Sequence, residues 1–186
     1  MKLDIAGARA ARPYMRTEYA GRIAWALATP LFRFSPKPLY GSRRLLLRVV
    51  RASVGRDVRI DPSARIEIPR NLTIGDHASI GADAWVYNLG PVSIGARATV
   101  SHLAHLCAGT HDYELPSLPL LRLGIDIGPD AWICAEAFLG PAIRVGAGAV
   151  VAARAVAVRD VPPWTVVAGN PASAVKPRTL RDGGAP

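Results

Sequence analysis

The stretch "IGARATVSHLAHLCAGTH", residues 94–111, consists of three units of six residues each. Every unit begins with an aliphatic residue, which is Ile94, Val100 or Leu106, and Ala98 and Ala104 hold the fifth place of the first two units. Six residues are too few for a helix pair, whereas this pattern suits a short strand followed by a turn. The stretch therefore predicts stacked short strands.

The same hexad recurs on both sides of this stretch. Successive coils of three hexads start 20 residues apart early in the chain and 18 apart later, with the two extra residues falling near Asn71 and Pro91. We predict an all-β fold, a parallel β-helix of about five coils, on the order of 24 Å tall, with the aliphatic residues along its axis. The glycine that often stands second in a hexad is expected to turn the chain. The fifteen hexads start at Val54, Ile60, Ile66, Ile74, Ile80, Val86, Ile94, Val100, Leu106, Ile127, Ile133, Leu139, Val145, Val151 and Ala157.

Composition limits the classes of partner. The chain has 186 residues, enough for one domain with an appendage, and 23 Lys and Arg against 14 Asp and Glu give a net charge of +9. Because of this positive charge, we expect an anionic partner. Nucleic acid is not expected, because the cations lack aromatic interleaving and no helix-turn-helix or RNA-binding motif is present. A phosphorylated cofactor or an anionic lipid fits better.

Two features bear on location. The N-terminus carries charges throughout and has no apolar stretch followed by a cleavage site, so we expect no signal peptide and a cytoplasmic chain. Cys107 and Cys134 lie in aliphatic surroundings without CxxC spacing, which favours buried free thiols over a metal or redox pair.

Residues 1–52 form a separate, basic N-terminal arm. Two apolar stretches interrupted by arginines and by Pro30, Pro36 and Pro38 predict two short amphipathic helices, too short and too charged to span a bilayer. The helices either pack on the body or on a neighbouring subunit, or they lie on an anionic membrane surface. The sequence leaves both open.

The hexads match the [LIV]-G-x-x-[AS]-x theme of the left-handed β-helix, or hexapeptide-repeat, transferases. The ending "VPPWTVVAGNPASAVKPR", residues 161–178, resembles their O-acetyltransferase branch, and with "VYNLGPVSIG" and "LCAGTHDY" the chain resembles the colanic-acid or exopolysaccharide biosynthesis acetyltransferases. The resemblance implies a left-handed β-helix over residues 53–162 with a protruding loop at 112–124, and a cofactor-binding segment and tail at 163–186. It also implies a homotrimer that binds acetyl-coenzyme A in grooves between subunits.

His111 stands last in its hexad, where the periodicity breaks and a loop rich in Leu and Pro follows. The resemblance aligns the family's catalytic histidine with His111, which would take the proton of a sugar hydroxyl during direct acetyl transfer. The alternative is a histidine that caps a turn. Asp112 and Asn88 are candidate ligands of the acceptor, and turn formation explains either residue equally well.

The resemblance also assigns residues to the cofactor. Ala135 and Ala153 are expected along the pantetheine arm, with Arg159 at the end of the last coil. Trp164, Lys176 and Arg178 are expected near the pantetheine or the nucleotide. The alternatives are that the alanines are the small residues that tight coils need and that Trp164 covers the open end of the core.

Two other functions compete with acetyl transfer. A zinc-dependent hydratase resembling carbonic anhydrase would need three ligands at one point, and the spacing of His77, His102, His105 and His111 does not let three of them converge within one chain. We therefore expect no metal. A non-catalytic solenoid scaffold would not need the broken hexad at His111.

Overall fold

The computed structural model describes residues 2–11 and 14–181. It contains three α-helices, one short 3₁₀ helix and nineteen short strands within those ranges. The helices are α1 (Ile5–Ala10), α2 (Arg16–Arg33) and α3 (Tyr40–Val49), and the 3₁₀ helix is Pro69–Asn71. The strands are β1 (Ser53–Val54), β2 (Arg59–Ile60), β3 (Arg65–Ile66), β4 (Leu72–Ile74), β5 (Ser79–Ile80), β6 (Trp85–Tyr87), β7 (Val92–Ile94), β8 (Thr99–Val100), β9 (His105–Cys107), β10 (Thr110–His111), β11 (Leu120–Leu121), β12 (Ile125–Ile127), β13 (Trp132–Ile133), β14 (Phe138–Leu139), β15 (Arg144–Val145), β16 (Val150–Val151), β17 (Val156–Ala157), β18 (Thr165–Gly169) and β19 (Ala172–Pro177).

The strands stack into a three-faced β-solenoid, as the hexads predict. The first face runs β1-β4-β7-β12-β15, the second β2-β5-β8-β13-β16-β18, and the third β3-β6-β9-β14-β17, all parallel. The register joins first-place residues of successive coils, such as Ile74 with Ile94 and Ile127 with Val145. The first-place residues of all fifteen hexads are buried, and they form the axis of the core.

The 3₁₀ helix at 69–71 and the segment before Val92 hold the two extra residues of the early coils. The enlarged corner predicted near Asn71 and Pro91 is therefore present. It lies between the third and first faces, which is also the corner from which the loop at 112–124 leaves.

The turning residue is not the one the sequence suggested. At the corners, positive φ occurs at the fourth place of the hexad, in residues as different as Asp57 (50°), Arg97 (59°) and Leu103 (58°). The second-place glycines do not need positive φ. A Cβ on Gly95 would lie 2.4 Å from the backbone nitrogen of Pro129, and one on Gly75 would lie 2.5 Å from that of Ala96. These glycines are required by the close approach of adjacent coils.

The solenoid continues past five coils into a sixth. Val161 is buried and bridges Val145, which begins a sixth coil on the first face. Strand β18 then adds to the second face, and β19 folds back antiparallel against β18. The segment at 163–186 that we assigned to the cofactor thus begins inside the solenoid.

Helices α2 and α3 pack against the first coil of the column. Trp25 Nε1 donates a hydrogen bond to the Ile66 carbonyl at 2.7 Å, and Phe32 packs edge-on against Trp25. Arg43, fully buried, donates to the Ile60 carbonyl at 2.7 Å and to two further carbonyls, and burial lowers its guanidinium pKa. Helix α2 continues through Pro30 to Arg33, and the buried Phe32 lies in its last turn.

Helix α1 was not predicted. Asp4 caps it by accepting from the Gly7 N–H at 2.9 Å, and the Asp4 N–H donates to the Pro116 carbonyl at 2.8 Å. Among the described helices, none is both long and apolar enough to cross a membrane.

Candidate active site

The candidate site begins where the chain leaves the third face after β9. Strand β10 pairs antiparallel with β11, placing His111 opposite Leu120, and the Asp112 N–H donates to the Pro119 carbonyl at 3.0 Å. The hairpin ends when Ile125 resumes the first face against Val92. Residues 112–124 therefore form a loop with backbone hydrogen bonds at its base.

The imidazole of His111 is held by this loop. His111 Nδ1 lies 2.6 Å from the carbonyl oxygen of Leu118, and the side chain is exposed. Because a carbonyl oxygen can only accept, this contact requires the proton on Nδ1 and leaves the lone pair on Nε2. In this tautomer, Nε2 is the ring nitrogen able to take a proton.

A cleft of about 430 Å³ lies beside His111. Its walls are the loop at 117–120, the Ala8 and Ala11 side of α1, and Tyr14, Tyr87 and Leu89. Burial raises the pKa of the Tyr87 hydroxyl, which favours the neutral phenol. Tyr14, Tyr87 and the Leu118 carbonyl were missed at the sequence level, since nothing in the hexad pattern links the arm to this corner.

The N-terminal arm is tied to this cleft by charged groups. Arg122, at the end of the loop, forms an ion pair with Glu18 of α2 at 2.8 Å, and the guanidinium carbons of Arg122 and Arg22 lie 4.3 and 4.7 Å from the centroid of the Tyr14 ring. The Glu18 carboxylate also accepts from the Met15 N–H, and this bond together with Arg122 lowers its pKa. The arm therefore forms one wall of the cleft.

The two candidate acceptor ligands have local partners. Asn88 is 0% exposed, and its side-chain amide bonds the backbone N–H groups of Glu67 and Ile68 and the Ile68 carbonyl. One Asp112 carboxylate oxygen accepts from the Glu114 N–H at 3.1 Å, as in an Asx turn. These contacts favour the turn-forming alternative for Asn88, whereas Asp112 remains partly exposed at the mouth of the loop.

The candidate cofactor residues fall at different corners. Ala135 and Ala153 lie one above the other after the second face, and the Arg154 N–H donates to the Ala135 carbonyl. Arg159 is exposed at the corner after the third face in the fifth coil. His111 leaves the solenoid at the same corner in the third coil. Lys176 is exposed on β19.

Trp164 and Arg178 come together after the first face. The Trp164 ring packs directly on Gly148 and is 42% exposed, and the Arg178 guanidinium carbon lies 5.9 Å from its centroid. Arg178 Nη1 donates to the carbonyls of Asp130 and Gly148 at 2.8 and 2.9 Å. Both side chains therefore contact the backbone of the upper coils in this chain.

The four histidines stand at separate places. His77 is a turn residue 3.8 Å from the Asp57 carboxylate, His102 lies at a corner of the second face, and His105 lies on the third face among aromatic rings. Within residues 2–11 and 14–181, no three His, Cys, Asp or Glu side chains cluster as metal ligands.

The solenoid is the fold of hexapeptide-repeat acetyltransferases of known structure. The chain superimposes on a hexapeptide-repeat acetyltransferase of Vibrio cholerae, solved with acetyl-coenzyme A, with a TM-score of 0.82 and 24% identity over 91% of this chain and 93% of that one. A maltose O-acetyltransferase of Clostridium difficile gives a TM-score of 0.80 and 24% identity, covering 89% of this chain and 90% of that one.

A relative in sequence is more specific. The protein of Escherichia coli described as the colanic acid biosynthesis acetyltransferase WcaF is 37% identical over 154 residues, 83% of this chain and 85% of its own length. No protein-family model matches the chain. The chain belongs to the family of colanic acid biosynthesis acetyltransferases, and it is an acyltransferase.

Proposed function

We propose that the protein transfers an acetyl group from acetyl-coenzyme A to a hydroxyl of a sugar or polysaccharide precursor in the cytoplasm, with His111 as the general base. The observation that carries this proposal is the contact between His111 Nδ1 and the Leu118 carbonyl, because it leaves Nε2 basic beside a cleft large enough for a sugar ring. WcaF, by its description, acts in colanic acid biosynthesis, which supports a saccharide acceptor.

The reaction requires the transfer of one proton from the acceptor hydroxyl, through His111, to the leaving thiolate. His111 Nε2 takes the hydroxyl proton as the acceptor oxygen bonds to the thioester carbonyl carbon. The tetrahedral adduct then collapses, the carbon–sulfur bond breaks, and the proton passes to the thiolate to give coenzyme A and the acetyl ester. Positioned base catalysis of this kind contributes roughly 10²–10⁴-fold, and orientation and oxyanion stabilisation supply more.

We assign acetyl-coenzyme A to the upper coils. Ala135 and Ala153 leave room for the pantetheine arm at one corner, and Arg159 and Lys176 supply exposed positive charge for phosphates. The Vibrio cholerae structure contains acetyl-coenzyme A on the same fold. Since Ala135 and Ala153 lie at a different corner of the chain from His111, a site that uses all three needs a neighbouring subunit, which supports the homotrimer that the resemblance implies.

The first test compares wild type, His111→Ala and His102→Ala. Free thiol is followed with acetyl-coenzyme A and a panel of nucleotide sugars and lipid-linked sugars. We expect His111→Ala to lower turnover about 10²–10⁴-fold, and His102→Ala, an exposed corner histidine, to behave as wild type. Equal turnover by His111→Ala would remove the proposed base.

Zinc content measured on the same samples tests the hydratase alternative. Stoichiometric zinc, lost together with activity on chelation, would favour it over acetyl transfer. Absence of thiol release with every acceptor, together with full folding, would instead favour the scaffold.

A further inference from the structure

The outward face of α2 is apolar and exposed. Ile23, Leu27, Leu31 and Phe34 are 62%, 76%, 68% and 83% exposed, at the spacing of three and four residues that places them on one side of a helix. The opposite side carries Trp25 and Phe32, which are buried. A helix with apolar residues on two opposite sides is normally covered on both of them. We call these four residues the α2 stripe.

The surroundings of the α2 stripe are strongly cationic. Residues 16–51 contain eight Lys and Arg and one acid, Glu18. The Glu18 carboxylate is already engaged by Arg122 and by the Met15 N–H. The arm thus presents an apolar strip within a field of positive charge.

A pocket of about 420 Å³ opens beside the stripe, between α2 and the end of α3. Its walls include Ala24 and Val49, and three arginines line it, which are Arg22, Arg51 and Arg70. Arg22 Nη1 is buried and has no hydrogen-bond partner among the described residues. A buried guanidinium N–H without an acceptor is costly, so the pocket favours an anion such as a phosphate.

We propose that the α2 stripe and this pocket bind an anionic phospholipid bilayer, with the stripe among the acyl chains and a lipid phosphate at the three arginines. The helix of 18 residues, about 27 Å long, would lie along the surface as interfacial helices do. The same stripe of a second copy is the less favourable occupant, because two arms that each carry eight Lys and Arg and one acid over residues 16–51 would then lie against each other.

The test is co-sedimentation of the full chain with vesicles of phosphatidylcholine containing phosphatidylglycerol, against vesicles of phosphatidylcholine alone. We expect binding to the anionic vesicles only, weakened by salt. Leu27→Glu should weaken binding at least tenfold, since it removes an apolar group that the proposal places among the acyl chains and adds a negative charge. Leu103→Glu is the matched control, since Leu103 is 52% exposed at a corner of the column where the next coil carries Glu136.

The pocket is tested separately. Arg22→Gln and Arg51→Gln should each weaken binding roughly fivefold, the equivalent of about 1 kcal/mol for one cation at a membrane surface. Arg144→Gln removes the same charge from an exposed position in the fifth coil and should not.

Three outcomes would overturn the proposal. One is equal binding to neutral vesicles, and another is equal weakening by the two control substitutions. The third is unchanged vesicle binding by Leu27→Glu together with a lower oligomeric mass, which would make the stripe a subunit interface. Acetyl transfer to a water-soluble acceptor is expected to be unchanged in Leu27→Glu, so failure of this proposal and failure of the proposed function are separable.

Discussion

His105 shows what a single side chain contributes to the third face. Its imidazole stacks on Trp85 with ring centroids 4.6 Å apart and nearly parallel planes, and Tyr87 and Phe138 meet its ring edge-on. Its Nε2 is buried with no hydrogen-bond partner in the described chain, and desolvation lowers its pKa from the ordinary 6.5. The imidazole therefore packs among aromatic rings in surroundings that disfavour its protonated, charged form.

This arrangement predicts a pH dependence of stability. Because the folded pKa of His105 is depressed, the unfolded chain binds more protons once the pH falls below about 6.5, and the free energy of unfolding decreases from there downward. We expect His105→Phe to remove this loss, which amounts to at most about 1.4 kcal/mol per pH unit. The measurement is chemical denaturation between pH 7 and pH 5, above the range in which the carboxylates with lowered pKa titrate.

Phe138→Leu is the control for that experiment. It disturbs the same aromatic column without removing a titrating group, so its stability should fall at all pH values while the pH slope stays that of wild type. An identical slope in His105→Phe and wild type would contradict the assignment of the acid loss to His105.

At single positions, the sequence predicted which residue stands at the break in the solenoid but not what that residue contacts. His111 was singled out from its place at the broken hexad, and the structure puts it beside a cleft. The Leu118 carbonyl that orients its ring was not predictable, since it depends on how residues 112–124 fold back. Asn88 was ambiguous for the same reason, because an Asn at a corner can serve either a ligand or the backbone.

At the scale of the coil, glycine at the first corner is dictated by packing between coils. The second place is glycine in all five coils there, at Gly55, Gly75, Gly95, Gly128 and Gly146. The corner after the second face has only one glycine in the same place, Gly81, beside Asp61, Ser101, Cys134 and Ala152. The hexad repeat alone did not separate close approach from turning, because both favour glycine.

Gly95→Ala tests this distinction. The added Cβ would lie 2.4 Å from the Pro129 nitrogen, so we expect a loss of about 1–3 kcal/mol in the free energy of unfolding, the usual cost of overpacking. Ser101, at the second place of the next hexad, already has a Cβ, and Ser101→Ala loses only the exposed hydrogen bond from Trp132 Nε1, so its stability should fall by less. Urea denaturation of both variants measures the difference, and similar stabilities would contradict a packing role for Gly95.

The strands were predictable and the helices less so. Fifteen aliphatic residues at a fixed interval specify the faces, the register and the core. Helix α2 was predicted to be amphipathic and to be interrupted near Pro30, but it runs to Arg33 and exposes apolar residues such as Leu27. Helix propensity and hydrophobic pattern do not report which face a neighbouring element covers.

At the scale of the whole molecule, the proposed site needs residues from two chains. His111 leaves the corner after the third face in the third coil, whereas Ala135 and Ala153 line the corner after the second face. These two corners lie on different edges of the three-faced solenoid, so residues at both cannot contact one substrate within a single chain. Stacking three solenoids side by side brings unlike corners of neighbours together, as cyclic symmetry requires.

The shared site makes a prediction about mixed oligomers. His111→Ala removes the base from one side of each interface, and Ala153→Phe with Lys176→Glu fills the pantetheine groove and reverses a charge for the coenzyme on the other side. If the two sides come from different subunits, co-expression of the two inactive chains should restore activity, with about one quarter of the sites intact under random mixing.

The readout is thiol release by co-purified chains carrying different affinity tags. Each variant alone should be inactive at low acetyl-coenzyme A while retaining three times the 19.8 kDa mass of one chain. Co-expression of His111→Ala with itself under the two tags controls for tagging. No recovery in mixed trimers of correct mass would mean that the base and the coenzyme residues act within one chain. The cleft beside His111 would then have to bind the thioester without a neighbour.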